Sequence, residues 1–355
     1  MASAIEGRPP SGGEPRAPLR IDLKRVLLML VVGVGVALLL LRLVDERQAF
    51  RQLASAHTGF IALAVIAESL RYLAVALYTQ KLVHFLRIHI PLWPMVELMF
   101  AGGSANRIVS TGGAAGIYVR YRFFDNYGLS LGSLAVVLIL QNLMTGAILF
   151  VTFCLGLLYL LNRRLLGPAQ LLVAGAMFFA MLSIFGVAVA LYRRPALLRR
   201  AMDRLARIVD LPVSKVARKS SYNPAALLQS IDRFYEAVAV ARRNPLETAK
   251  AMAYGILTLF SDIACLYFVF FALGFPIRPD VLIVGYVITN YIVSILLMPE
   301  GIGITELSLT AVYASLGVPS STVVAATLLF RLIAFWLPIG TGLLAMWDLH
   351  RKSLF

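Results

Sequence analysis

Pro299, Glu300, Gly301, Gly303 and Glu306 fall in LLMPEGIGITELSLT, residues 296–310, between two long apolar runs. Pro299 has no amide hydrogen and cannot continue the helix expected to end near Leu297. Gly301 and Gly303 permit backbone angles that other residues avoid. A new half-helix is expected from Ile304 toward Ser315, and the unpaired N–H groups at its start carry partial positive charge. Such an end attracts a phosphate or a carboxylate. Glu306 lies in the first turn, where it either caps the helix or serves function. Glu300 stands in the break itself, and an ionisable group at membrane depth is a functional candidate. Its options are pairing with Arg331, carrying a proton, or meeting a cationic headgroup.

A second break interrupts FAGGSANRIVSTGGAAGIYVRYRFF, residues 100–124. Its glycines, Gly112 and Gly113 among them, allow close backbone approach, and Asn106, Arg107 and Thr111 add polar groups. Arg107 and Arg120 suit a phosphate, because a guanidinium offers a planar fork of donors. Arg120 serves equally as an anchor to headgroups at the inner surface. Glu68 and Arg71, three residues apart, share one helix face and act either as structural neutralisation or as a proton or ion-pair site. Asp262 lies in an apolar run with no local partner. A lone Arg at a helix centre costs ~2.5–3.5 kcal/mol on insertion scales. Arg331 is therefore expected to face the interior and meet Asp262 or Glu300, ahead of a kink at Pro338 and Gly340.

The wider sequence offers no HExxH, CxxC, Walker loop or GxSxG, and its four His residues are scattered. No catalytic constellation, metal site or cofactor is expected, and the chain reads as a non-enzyme. Cys154 and Cys265 both lie in apolar runs and read as small buried hydrophobes. The net charge of +15 does not point to nucleic acid, because the basic residues sit in loops between apolar runs.

The elements that position these residues follow from composition. The chain of 355 residues is 60% hydrophobic and 14% charged, with a mean hydropathy of +0.82. Several apolar runs exceed the ~20 residues that cross a bilayer, and the alternation of a β-barrel is absent. The fold class expected is an all-α polytopic membrane protein, with six full transmembrane helices at 26–44, 59–80, 131–160, 169–192, 249–273 and 321–347. The stretches 92–118 and 281–316, broken midway, are expected as two re-entrant helical hairpins. Residues 1–18 are expected as a disordered cytoplasmic tail, 19–348 as the transmembrane domain and 349–355 as a second cytoplasmic tail.

Residues 193–247 hold twelve Lys/Arg against five Asp/Glu, which assigns them to the cytoplasm. Their amphipathic stretches at 196–209 and 224–242 suit either interfacial helices or a cap on the bundle. With both hairpins re-entrant, 23 Lys/Arg and both termini lie inside, against six outside. The same assignment turns repeat two, about 249–347, into repeat one, about 59–160, upside down. Gly112 to Gly128 and Gly301 to Gly317 even share a spacing of sixteen. Inverted repeats with broken helices are the architecture of secondary transporters, and irregular backbone at that depth must be buried or face a watery cavity.

The second break, with Pro299, Gly301, Gly303 and Glu306 followed by LSLTAVYASLGVP, resembles the C-terminal signature of the lysylphosphatidylglycerol synthase transmembrane-region family. ANRIVSTGGAAGIYVR resembles the family's N-terminal motif at Asn106, at Gly113 or Gly116, and at Arg120. It departs from the pattern in Ser110-Thr111 and in lacking a following Glu. The resemblance implies a flippase-like protein of a bacterial or archaeal cytoplasmic membrane that moves a phospholipid or other polar-headgroup lipid between leaflets. Anionic or aminoacylated phospholipid and polyprenyl lipid are the implied cargo, with a homo-oligomer or a lipid-synthesis protein as partner. Nothing after residue 348 is long enough for a synthase domain. The same residues also suit a proton-coupled transporter of a small polar solute, or a scaffold for a lipid-modifying enzyme.

Overall fold

A computed structural model describes residues 23–42, 44, 46–108, 114–162, 167–200, 202, 204, 224–295 and 303–352. Among them the regular structure is entirely helical. In chain order the helices are α1 (Leu23–Arg42), α2 (Glu46–Ala54), α3 (Thr58–His84), α4 (Leu92–Ile108), α5 (Ala114–Asp125) and α6 (Leu131–Asn162). They continue as α7 (Pro168–Arg193), α8 (Pro224–Arg243), α9 (Pro245–Ala272), α10 (Pro279–Ile295), α11 (Ile304–Ser315) and α12 (Ser320–Arg351). Within α12, Leu332–Trp336 form a π-helical turn just before Pro338. Four helices, α3, α6, α9 and α12, are long and apolar enough to cross a membrane, and Val31–Arg42, Gly175–Val187 and Pro279–Val293 form shorter apolar stretches. The chain is a multi-pass membrane protein.

Helix lengths recur in order. The set α3 to α6 measures 27, 17, 12 and 32 residues, and the set α9 to α12 measures 28, 17, 12 and 32. The turns after α5 and α11 match as well. Gly128 and Gly317 both take positive φ, 75° and 87°, where a side chain would strain the backbone. Each is followed by an N–H donated five residues back, Leu129 to Phe124 and Val318 to Tyr313, which closes the C-terminal turn.

The two sets run in opposite directions. α3 and α9 make the most extensive helix–helix contact and lie antiparallel. The His57 N–H donates to the Ala272 carbonyl at 2.8 Å at one end, and Lys81 meets Glu247 at 2.6 Å at the other. On the Lys81 face, the start of α4 is tied to the end of α12 by Glu97 and Lys352 at 2.7 Å. The start of α6, just after the turn that follows α5, meets α8 there, where Arg233 donates to Ser133 at 2.5 Å and to Ser130. On the opposite face, Gln52 of α2 donates to Thr322 at the start of α12 at 3.0 Å. The α4–α5 pair thus begins and ends on one face, and the α10–α11 pair on the other.

Two apolar cores result. One gathers α9 to α12 around Phe270 and Tyr313, and the second gathers α3 to α6 around Tyr78, Phe123 and Phe124. α8 buries Ile231, Phe234 and Ala237 against the bundle. Ser104 and Gly342 set how closely α4 approaches α12. The Ser104 hydroxyl donates to the Pro338 carbonyl at 2.9 Å, and a Cβ at Gly342 would stand 1.9 Å from that hydroxyl.

Candidate functional site

Between the two cores lies a charged seam. Arg71, at the middle of α3, donates through Nε to both Glu68 oxygens at 2.9 Å. The same nitrogen stands 3.8 Å from Asp262 of α9. Asp262 also accepts a hydrogen bond from the Tyr286 hydroxyl of α10. The partner that Asp262 lacked within its own helix is therefore supplied by two neighbouring ones.

Arg331 does not meet Asp262. Its Nε donates to Glu306 Oε1 at 2.7 Å, and both side chains are about nine-tenths buried. Glu306 Oε2 meanwhile accepts the Gly303 N–H at 2.7 Å. One carboxylate thus joins two elements. It caps the first turn of α11, where Gly303 at φ 84° has no side chain to cap with, and it neutralises a buried cation. Sequence reasoning named Asp262 or Glu300 for Arg331 and did not weigh Glu306, which holds it. Glu300 itself lies outside the described residues, as do Thr111, Gly112, Gly113, Pro299 and Gly301.

Arg107 ends α4 and ties it to the π-helical turn of α12. Pro338 has no N–H, so the Ala334 carbonyl lacks its usual donor one turn later. Arg107 Nη2 fills that place at 3.2 Å, while Nη1 reaches the Tyr72 hydroxyl at 3.0 Å and the Phe335 carbonyl at 3.4 Å. The Phe335 ring receives two guanidinium groups, Arg331 at 4.1 Å and Arg107 at 5.1 Å from its centroid.

Arg71, Arg107, Asp262 and Arg331 line one chamber of about 190 Å³, with Glu68 and Glu306 holding two of the arginines from behind. Tyr286, Thr289 and Asn290 complete one wall. Thr289 is 2% exposed, and its hydroxyl has no hydrogen-bond partner in the structure. Sequence reasoning missed this wall. The available signal was three polar side chains at 286, 289 and 290, one face of an otherwise apolar helix.

A second chamber, of about 310 Å³, lies toward the Lys81 face. Arg120 and Asn142 line it, and it shares Arg71, Asp262, Tyr286 and Asn290 with the first. Those four residues form the partition between the chambers. Asn106 lines neither. Its Oδ1 accepts the Gly116 N–H at 2.5 Å and so caps the start of α5. A third space, an apolar groove of about 700 Å³, runs between α6, α9 and α10. Val151, Leu155, Ile256 and Phe260 line it while more than a third exposed, so it opens sideways. Ile148 borders both the groove and the larger chamber.

A bundle of antiparallel helix sets around a charged seam, flanked by a sideways apolar groove, defines a polytopic membrane protein with its polar machinery buried between two cores. The chain belongs to the family described as lysylphosphatidylglycerol synthase TM region, which it matches over residues 26–342. It is 24% identical to a UPF0104 membrane protein of Pyrococcus horikoshii over 89% of this chain and 94% of that protein. It is 26% identical to a UPF0104 membrane protein of Methanocaldococcus jannaschii over 37% of this chain and 40% of that protein.

Proposed function

We propose that the protein is a lipid translocase that passes a polar headgroup through the two chambers while the acyl chains stay in the apolar groove. The observation that carries this reading is the adjacency of the two environments at Ile148. An amphiphile needs both, and a small polar solute needs only the chambers. The groove falls in the size range of ligand pockets, about 300–1,000 Å³. Three arginines around the smaller chamber suit a phosphate-bearing headgroup, and membrane lipids supply it. The family description, which refers to lysylphosphatidylglycerol, agrees with a lipid cargo.

In this reading α4–α5 and α10–α11 are the re-entrant pairs of an inverted repeat. Each enters and leaves by one face, and their inner ends meet at the charged seam. The Lys81 face, with both termini, lies in the cytoplasm, following the excess of basic residues there. The protein performs no covalent chemistry, and the protein's own residues bind, orient and release the headgroup.

Proteoliposomes containing headgroup-labelled phosphatidylglycerol or phosphatidylethanolamine test this. Label should become accessible to a membrane-impermeant quencher faster than in empty liposomes. Arg107→Gln should slow this by about tenfold or more, the loss of roughly one charged hydrogen bond. Translocation no faster than in empty liposomes, for both lipids, overturns the reading.

A further inference from the structure

The apolar groove and the larger chamber share one lining residue, Ile148 of α6. Along that face of α6 the lining changes character there. Gln141 and Thr145 line the chamber, while Val151 and Leu155 line the groove. Val151 and Leu155 are more than half exposed, yet Ile148 is 6% exposed. Across from it, on α9, stands Gly255. A Cβ at Gly255 would lie 2.7 Å from Ile148 Cδ1, so the end of the isoleucine fills the place where another residue would carry its side chain. The next atom to meet that Cβ would be in the Tyr78 ring at 3.5 Å, an ordinary contact. Tyr78 is buried and anchored, because its hydroxyl donates to the Gln141 carbonyl at 3.1 Å. Gly255 has no side chain to move, so Ile148 supplies the one mobile tip at this junction. Branching at Cβ holds an isoleucine in a helix to nearly one χ1, which leaves χ2 free and Cδ1 as the atom that swings.

Resting on the translocase reading, we propose that Ile148 is the gate that decides which lipid headgroups pass from the groove into the larger chamber. Its tip, seated against Gly255, closes the neck between the two spaces. When the tip turns away, the side chain that Gly255 lacks is the room through which a headgroup enters. Compact phosphate-bearing headgroups therefore enter faster than bulky ones. A polar headgroup gives up hydrogen bonds while it crosses apolar surface, and a neck one side chain thick keeps that crossing short. The seated tip also separates the polar chamber from the groove, in the way that an apolar constriction keeps water out of a pore. No covalent bond forms or breaks.

The contact can be tested by moving one methyl group across it. Ile148→Val removes Cδ1 and opens the neck from the α6 side. Adding Gly255→Ala to it fills the same space from the α9 side, since Val and Ala together carry as many side-chain carbons as Ile and Gly. With Cδ1 gone, nothing stands closer than 3.5 Å to the new Cβ, so the double variant packs without strain. The reporter is Thr258→Cys, which places a thiol in the chamber, in the full chain with Cys154 and Cys265 replaced. Proteoliposomes carry one of two phosphatidylethanolamines with a maleimide on the headgroup amine, one through a short linker and one through a bulky aromatic linker. The readout is the ratio of the two rates at which lipid becomes attached to the reporter thiol. A loss of folded protein lowers both rates together and leaves that ratio unchanged.

With Ile148 and Gly255 in place, the short-linker lipid should react faster than the bulky one. Ile148→Val should raise the bulky lipid's rate by about tenfold, the discrimination that one methylene confers in an apolar site. Gly255→Ala added to Ile148→Val should return the ratio to its starting value. Equal rates for the two lipids, a ratio that Ile148→Val leaves unchanged, or a change that Gly255→Ala does not reverse each overturn the gate. Movement of labelled lipid between leaflets is measured alongside and judges the translocase reading by itself. Movement without attachment to the thiol means that headgroups take another route, which overturns the gate and leaves the translocase standing. The expected ratios without movement keep Ile148 as the entrance to a lipid-binding chamber and overturn the translocase. Neither attachment nor movement overturns both.

Discussion

Glu306 is where one side chain serves two elements. Its two oxygens cap α11 and hold Arg331 of α12, and neither group has room for much solvent. Removing one member of a buried ion pair leaves the other uncompensated, at a cost of about 3–5 kcal/mol. Glu306→Gln should therefore lower the thermal midpoint in detergent, because the guanidinium stays buried without its counter-charge. Pairing Glu306→Gln with Arg331→Met removes the stranded cation and should recover most of that loss. A single variant as stable as the native chain would mean the pair contributes nothing.

At the scale of helices, the seam depends on how closely α4 approaches α12. A Cβ at Gly342 would stand 1.9 Å from Ser104 Oγ and 2.4 Å from the Phe100 carbonyl, and that backbone atom cannot step aside. Gly340, two residues earlier on the same helix, has nothing within 4 Å of the corresponding position. Gly342→Ala should cost about 1–3 kcal/mol through overpacking and should loosen Arg107 from the π-helical turn. Gly340→Ala should be neutral or gain up to about 1 kcal/mol through helix propensity. Thermal melts of the two variants side by side check this, and equal midpoints would refute the close packing. Much of this layer was legible in the sequence. The helix start at Ile304 follows from Pro299 and the glycines after it, whose effects are local. The partners of Asp262 and Arg331 were not legible. Asp262 meets Arg71 and Tyr286 from other helices, and nothing within its own helix encodes which neighbour arrives. The cap that Asn106 makes on α5 was not legible for the related reason that a polar side chain beside a glycine-rich break suits a ligand and a helix cap equally well.

Across the whole molecule, the ties at the helix ends sort the loops onto two faces. Lys81–Glu247, Glu97–Lys352 and the Arg233 bonds to Ser130 and Ser133 mark one, and His57–Ala272 and Gln52–Thr322 mark the other. A chain that crosses the bilayer with α3, α6, α9 and α12 must present these faces to opposite compartments. The turn after α5 then lies with the basic face, and the turn after α11 lies opposite, although each follows a helix of only 12 residues. Cysteines introduced singly at Asn126 and at Leu316, in a background with Cys154 and Cys265 replaced, report this directly. Asn126→Cys, in an exposed turn, should react with a membrane-impermeant maleimide only in inside-out vesicles. Leu316→Cys should react only in intact cells. If Asn126→Cys labels from outside, α4 and α5 together cross the membrane once, their inner ends no longer meet α10 and α11 at one depth, and the charged seam cannot serve both leaflets.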